Sequence, residues 1–150
     1  MPIIQPFDDT YFMKKALQEA EMALAKGEVP VGAVIVCNNQ IIAKGHNQVE
    51  TLNDATAHAE MLAFTAATNY LGSKYLKDCT LYVTLEPCQM CAGAAYWSQI
   101  GRIVYAAVDE KRGYSHWHCQ VYPKTEVKGG VLASESEVLL NEFFKQMRGK

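Results

Sequence analysis

Two short fragments constrain this chain more than any other feature: His58-Ala59-Glu60 and Pro87-Cys88-Gln89-Met90-Cys91. Zinc accepts imidazole nitrogen and thiolate sulfur, and a catalytic zinc takes three protein ligands while keeping a fourth position for water. If His58, Cys88 and Cys91 share one ion, the fold must carry two distant segments to a single point. The spacing of Cys88 and Cys91 puts them one helical turn apart on one face. At a helix N-terminus the dipole and the free N–H groups favour thiolate over thiol. His58 stands at the start of another helical stretch, so two helix N-termini are expected to converge on one metal.

Glu60 is not needed as a ligand. A carboxylate beside a zinc-bound water can take its proton and pass it on, and zinc lowers the pKa of that water to about 7. The four residues therefore make a hydrolytic set, suited to attack on an electrophilic sp² carbon with loss of an amine. A closed structural zinc site would instead need a fourth ligand. Cys37, Cys79 and Cys119 are available for it, although a free cysteine is often simply buried.

The rest of the chain reads as helices alternating with short strands. Asp8-Asp9-Thr10 offers capping oxygens, apolar residues then recur at helical spacing, and Lys26-Gly27 is a stop, which predicts a helix from about Thr10 to Lys26. Val31–Val36 and Ile41–Ala43 read as strands joined by a turn at Asn38-Asn39-Gln40. Further helices are expected from His58 to about Asn69, from Cys88 to about Ser98 and from Ser134 to Arg148. Further strands are expected at Thr80–Thr84 and Arg102–Ala107, with weaker candidates at Val121–Val127 and Val131-Leu132. Residues 109–120 read as irregular. The class is α/β, with a sheet covered by helices, and the hairpin makes that sheet mixed.

With 150 residues the chain suits one domain, taken as 1–150. Met1 to Asp9 contains no basic stretch followed by an apolar run, so no secretory signal is expected, and no apolar stretch is long enough for a bilayer. Five cysteines, an odd number with one Cys-x-x-Cys, suit a reducing compartment and metal chemistry, so the expected location is cytoplasmic, with no membrane partner. The net charge of −2 argues against broad nucleic-acid binding, and no DNA partner is expected. The charge is uneven: residues 111–150 hold seven Lys or Arg and four Asp or Glu, a balance of +3, which leaves −5 for the rest. A polyanion would meet the C-terminal third first.

The order His-x-Glu, then Pro-Cys-x-x-Cys, resembles the signature of zinc nucleobase deaminases. Longer stretches resemble the bacterial tRNA-specific adenosine deaminases, which convert the wobble adenosine to inosine. These stretches are Gly27 to Val34, Gly45-His46-Asn47, Thr56 to Met61 and, most specific, Thr80 to Ala94. The resemblance runs from about Phe12 to Asp109 and resumes in the last helix. It implies a cytidine-deaminase-like three-layer α/β/α sandwich with about five strands, a homodimer, one zinc per subunit and a flipped-out base in a tRNA anticodon stem-loop. It implies zinc binding by His58, Cys88 and Cys91, and proton transfer by Glu60. It also implies a nucleoside contact from Asn47, a base pocket lined by Val31 and the Ala59 backbone, and a place near the RNA backbone for Asp109. Phe143-Phe144, Lys145 and Arg148 match the final helix, which helps hold the anticodon loop.

The chain departs from that family after Asp109. The tRNA enzymes usually continue with a longer segment containing Gly-Ser-Leu and later Asn-His; here it is shorter and reads Glu110-Lys111-Arg112-Gly113-Tyr114-Ser115-His116-Trp117-His118-Cys119-Gln120. Tyr114, His116 and Trp117 could stack on unpaired bases, His116, His118 and Cys119 could hold a second metal, or the segment could be a packed surface loop. The same zinc site would also serve a deaminase of a free base or nucleoside, of guanine or cytidine type. A non-catalytic zinc-stabilised RNA-binding subunit is the reading from another class, and the intact Glu60 weighs against it.

Overall fold

The structure is a computed structural model and describes residues 7–149. In chain order the elements are α1 (Asp9–Ala25), β1 (Gly32–Cys37), β2 (Gln40–His46), α2 (Ala59–Leu71), β3 (Cys79–Leu85), α3 (Gln89–Ser98), β4 (Arg102–Ala107), β5 (Glu126–Lys128) and α4 (Ala133–Arg148). The sheet order is β2-β1-β3-β4-β5. β1 runs antiparallel to β2 and β3, while β3, β4 and β5 are mutually parallel, so the sheet is mixed as the hairpin required.

Alternation along the central strands sorts their side chains to two faces. Ala33, Ile35, Leu81, Val83 and Ile103 pack with Ala59, Ala63 and Phe64 of α2 and Ala95 of α3. Val34, Val36, Tyr82, Val104 and Ala106 pack with Phe12, Met13 and Ala16 of α1. α4 joins α1 on that second side, which completes three layers.

Local chemistry explains most of the boundaries. The Asp8 carboxylate accepts from Tyr11 N at 2.8 Å and starts α1. The hairpin turn needs only Asn38 and Asn39, both at positive φ (52° and 61°), which is the two-residue turn that matches strand twist. Gln40 therefore already pairs with Cys37. β2 runs on past Ala43 to His46 because it is a half-polar edge strand rather than an apolar one. Within it, a Cβ on Gly45 would lie 2.4 Å from the Ala59 carbonyl oxygen, so this glycine lets α2 lie directly on the strand.

Two expectations are corrected at the C-terminal end. Of Val121–Val127, only Glu126–Lys128 forms β5, because Pro123 has no N–H to give a ladder and sits in a turn closed by Thr125 N to Tyr122 O at 2.8 Å. Val131-Leu132 is no strand. Both residues pack against the α1-side core, and Leu132 takes a left-handed φ of 57° as the N-cap of α4.

An ionic clamp ties the layers together at the end of the sheet where β3 and β4 begin. Arg102 donates to both Asp9 carboxylate oxygens at 2.6 and 2.8 Å, with Tyr82 OH donating at 2.8 Å and Lys128 Nζ at 3.3 Å. The Arg102 guanidinium holds the Asp9 carboxyl well below the usual carboxylate range.

Candidate active site

The convergence expected of the two fragments is realised through helix starts. His58 is the N-cap of α2, Cys88 is the N-cap of α3, and Cys91 lies in the first turn of α3. Neither N-cap side chain caps its own helix, so imidazole and thiol are left for another partner. The His58 Nδ1, Cys88 Sγ and Cys91 Sγ atoms all lie within 4.8 Å of one another. His58 Nδ1 stands 3.6 Å from Cys88 Sγ and 3.7 Å from Cys91 Sγ. Tetrahedral zinc, with its usual bond lengths to sulfur and nitrogen, requires a nitrogen-to-sulfur edge of about 3.6 Å. Both nitrogen-to-sulfur edges thus match a zinc tetrahedron, and the donor set fits the metal. Among the described residues no other group of three His, Cys, Asp or Glu side chains comes together in this way. His116, His118 and Cys119 therefore do not build a second metal site, and the fourth-ligand idea gains nothing from Cys37, Cys79 or Cys119.

The electrostatics follow from the same geometry. The Cys88 thiol is pulled down to about 4, first by the Cys91 thiol that hydrogen-bonds to it and then by the His58 imidazole, against the opposing effect of burial. Cys91 is pushed the other way, by Cys88 and by burial. Glu60 is buried in the first turn of α2, and its carboxyl is pushed up to about 7 chiefly by that burial.

A cleft of about 440 Å³ opens over these groups, within the usual range for a small-ligand site. It lies outside the carboxyl ends of the parallel pair β3 and β4, where Leu85, Glu86 and Asp109 line it. Two buried carboxylates organise its walls. Glu28 accepts from Glu50 N at 3.1 Å and from Thr51 N and Oγ1 at 2.7 Å, which pins the loop between β2 and α2. Glu86 plays the corresponding part for the segment after β4, accepting from Asp109 N at 3.1 Å and from Ser115 N and Oγ at 3.2 and 2.5 Å. α4 is anchored beside them by Ser136 Oγ, which donates to the Thr84 carbonyl at 2.5 Å.

The other residues expected at the site fall into two groups. Asn47, Val31 and Asp109 line the cleft with His58, Glu60 and Cys88. Asn47 Oδ1 accepts from Ala59 N at 2.8 Å, so it caps α2 in place of His58 and its amide NH₂ is the part left for a ligand. That bond also occupies the Ala59 N–H, and Ala59 lies fully buried beneath the cleft rather than on its lining. The Asp109 carboxylate accepts from Lys111 N and Arg112 N, at 3.2 and 3.0 Å, and so is engaged in shaping its own turn. Phe144 and Arg148 are exposed and stand outside the lining, where α4 instead presents Phe143 and Met147. Sequence reasoning passed over Glu28, Glu86, Arg112 and Met147. The only local signal was for Glu86, a charged residue at the end of an apolar strand.

The model of the cytidine and deoxycytidylate deaminase zinc-binding region matches residues 7–107. A tRNA-specific adenosine deaminase of Aquifex aeolicus is 47% identical over 143 residues, which cover 92% of this chain and 95% of its own. A solved structure from a study of A-to-I editing by tRNA:A34 deaminases at the wobble position has a TM-score of 0.80 and 42% identity, covering 87% of this chain and 99% of that one. A guanine deaminase from Bacillus subtilis is 46% identical with a TM-score of 0.62, covering 65% of this chain and 62% of its own.

Proposed function

The chain belongs to the cytidine and deoxycytidylate deaminase family, among the tRNA-specific adenosine deaminases, and we propose that it converts adenosine to inosine at the wobble position of a tRNA anticodon loop. The reaction is hydrolytic: water adds at C6 of the purine, the exocyclic amine leaves as ammonia, and N1 keeps a proton. The observation that carries the chemistry is the ligand triangle of His58, Cys88 and Cys91, with Glu60 in the same cleft. The substrate is carried by the likeness to wobble deaminases over nearly the whole chain.

His58, Cys88 and Cys91 would hold one zinc per subunit. When bound, zinc supplies the Lewis acidity that makes water a nucleophile at neutral pH. Glu60 accepts a proton from the attacking water, delivers it to N1, and carries a second proton to the departing amine. Its burial keeps those protons from bulk solvent. The Asn47 amide, held by Ala59 N, donates to the nucleoside, and Val31 packs against the base. A base inside a stack cannot reach this depth, so the adenosine enters flipped out. Phe144 and Arg148, exposed on α4, take the anticodon loop outside the cleft, and Asp109 shapes the turn beside it.

The protein acts in the cytoplasm as one deaminase domain over residues 1–150, and as a homodimer. The large apolar side chains of Tyr70 and Leu71 at the end of α2 and Trp97 on α3 are exposed and available for a partner subunit to cover. Among the described residues no helix is long and apolar enough to cross a membrane.

A second reading, a free-base deaminase, is favoured by the likeness to the guanine deaminase. Zinc-loaded protein offered a tRNA anticodon stem-loop with wobble adenosine, and separately guanine, adenosine and cytidine, decides between the two. Inosine is expected in the stem-loop; ammonia released from a free base or nucleoside alone would overturn the tRNA reading.

A further inference from the structure

Residues 109–115, which begin the stretch where the chain leaves the family pattern after Asp109, have no strand or helix of their own, yet they are fastened to the zinc-ligand segment at two points. Tyr114 N donates to the Pro87 carbonyl at 2.8 Å, and Gly113 forms a β-bridge with Cys88. Between these contacts lies the Glu86 carboxylate, buried and accepting from Asp109 N, Ser115 N and Ser115 Oγ. The fit is close: a Cβ on Gly113 would lie 2.5 Å from the Glu86 carboxylate and 2.6 Å from the Asp109 carbonyl. One acidic side chain, immediately before Pro87-Cys88, thus sets the path of a segment more than twenty residues later in the chain.

That path carries one consequential side chain to the cleft. The lining is rich in carboxylates, with Glu28, Glu50, Glu60, Glu86 and Asp109, and among the described residues Arg112 is its only Lys or Arg. Arg112 is exposed and makes no ion pair among the described residues. A polyanionic strand approaching an acidic cleft needs a cation at the rim, and a guanidinium binds phosphate through paired N–H donors.

We infer that Glu86 is a positioning residue for RNA capture: it holds residues 109–115 against Pro87-Cys88 and so places Arg112 on the cleft, where the guanidinium takes a phosphodiester beside the target base. The inference rests on the tRNA reading above. Glu86→Gln keeps the shape of the side chain but replaces one acceptor oxygen with a donor that faces N–H and O–H donors. The loop is then released, and Arg112 with it.

The test measures stem-loop affinity against salt for zinc-loaded wild type, Glu86→Gln, Arg112→Ala and the double variant. A lost phosphate contact lowers the log–log salt slope by about 0.7 to 0.9. Arg112→Ala is expected to lower the slope by that amount and raise KM for the stem-loop roughly tenfold, as one charged hydrogen bond implies. Glu86→Gln is expected to do the same with zinc content unchanged, and the double variant to lower the slope no further. Ser115→Ala, which removes only the hydroxyl bond, guards against misfolding of Glu86→Gln and should move the slope in the same direction. An unchanged slope in Glu86→Gln and Ser115→Ala, or additive losses in the double variant, would overturn the positioning role. Wild type that deaminates a free base and shows no salt-dependent stem-loop binding would overturn the tRNA reading, and this inference with it.

Discussion

The zinc-ligand segments and the segment after β4 border the same cleft but are built by opposite means. His58, Cys88 and Cys91 owe their positions to local rules. Each lies at or just inside the start of a helix, where the chain leaves an extended conformation and the first N–H groups have no partner within the helix. Residues 109–115 have no such local determinant. Their course is set by Glu86, Pro87 and Cys88, distant in sequence, through hydrogen bonds to one buried carboxylate and one carbonyl. The metal-type side-chain group is therefore set where structure is local, and the opposite wall of the cleft where structure is tertiary.

The largest effect should come from breaking the local side. Cys88→Ala removes one of the three proposed metal ligands, and since metal binding and folding are linked, zinc content, melting temperature and turnover should fall together. Elemental analysis beside a thermal melt checks this, and full zinc occupancy would remove Cys88 from the ligand set.

Glu60→Gln separates metal from proton transfer. It should keep zinc and fold while kcat for the stem-loop drops about 10²- to 10⁴-fold. Undiminished turnover would assign the proton step to another group.

Asn47→Ala probes the joint between the two modes, because the side chain caps a helix and also lines the cleft, where we propose that its amide donates to the nucleoside. Leaving Ala59 N–H without its cap should cost about 1–2 kcal/mol in denaturant unfolding, and stem-loop kcat/KM should fall at least tenfold. A stability loss with kinetics intact would reduce Asn47 to a cap.

The Asp9 clamp, away from the cleft, gives the scale of a purely structural loss. Asp9→Asn should cost about 2 kcal/mol at neutral pH and leave kcat/KM unchanged. Because the Asp9 carboxyl lies below its unfolded value of about 4, its stabilisation is complete above that pH and is lost as pH falls further. Wild type and Asp9→Asn should therefore converge in stability in acid, and a gap that held constant down to pH 2 would contradict the clamp.

The smallest effect is expected on the loop's exposed histidines. His116→Ala and His118→Ala should each leave one zinc per chain, since these side chains form no metal group with Cys119.

Much of this molecule was legible because its signals repeat at short range. The Asp8 cap and Gly27 stop bound α1, β-prone runs at 31–36 and 80–84 gave strands, and the two motif fragments gave a side-chain group whose nitrogen-to-sulfur edges fit zinc. The illegible parts share a cause. β2 outran its apolar stretch because pairing with β1 carries it through exposed Lys44 to Gly45 and His46, which α2 and Glu19 cover without any apolar pattern in the sequence. Val121 to Thr125 lost its strand to a proline turn, and α4 faces the cleft with Phe143 and Met147 because Ser136 is fastened to Thr84.

Sequence alone singled out the His58, Cys88 and Cys91 group and most of the helices and strands up to β4, since helix starts, periodicity and donor chemistry depend on neighbours along the chain. Only the tertiary structure decided that Glu28 and Glu86 would each hold a wall of the cleft, and that Arg112 would be its one Lys or Arg among the described residues. A buried carboxylate is stable only where several N–H or O–H donors reach it, and those donors come from segments whose approach no local pattern records.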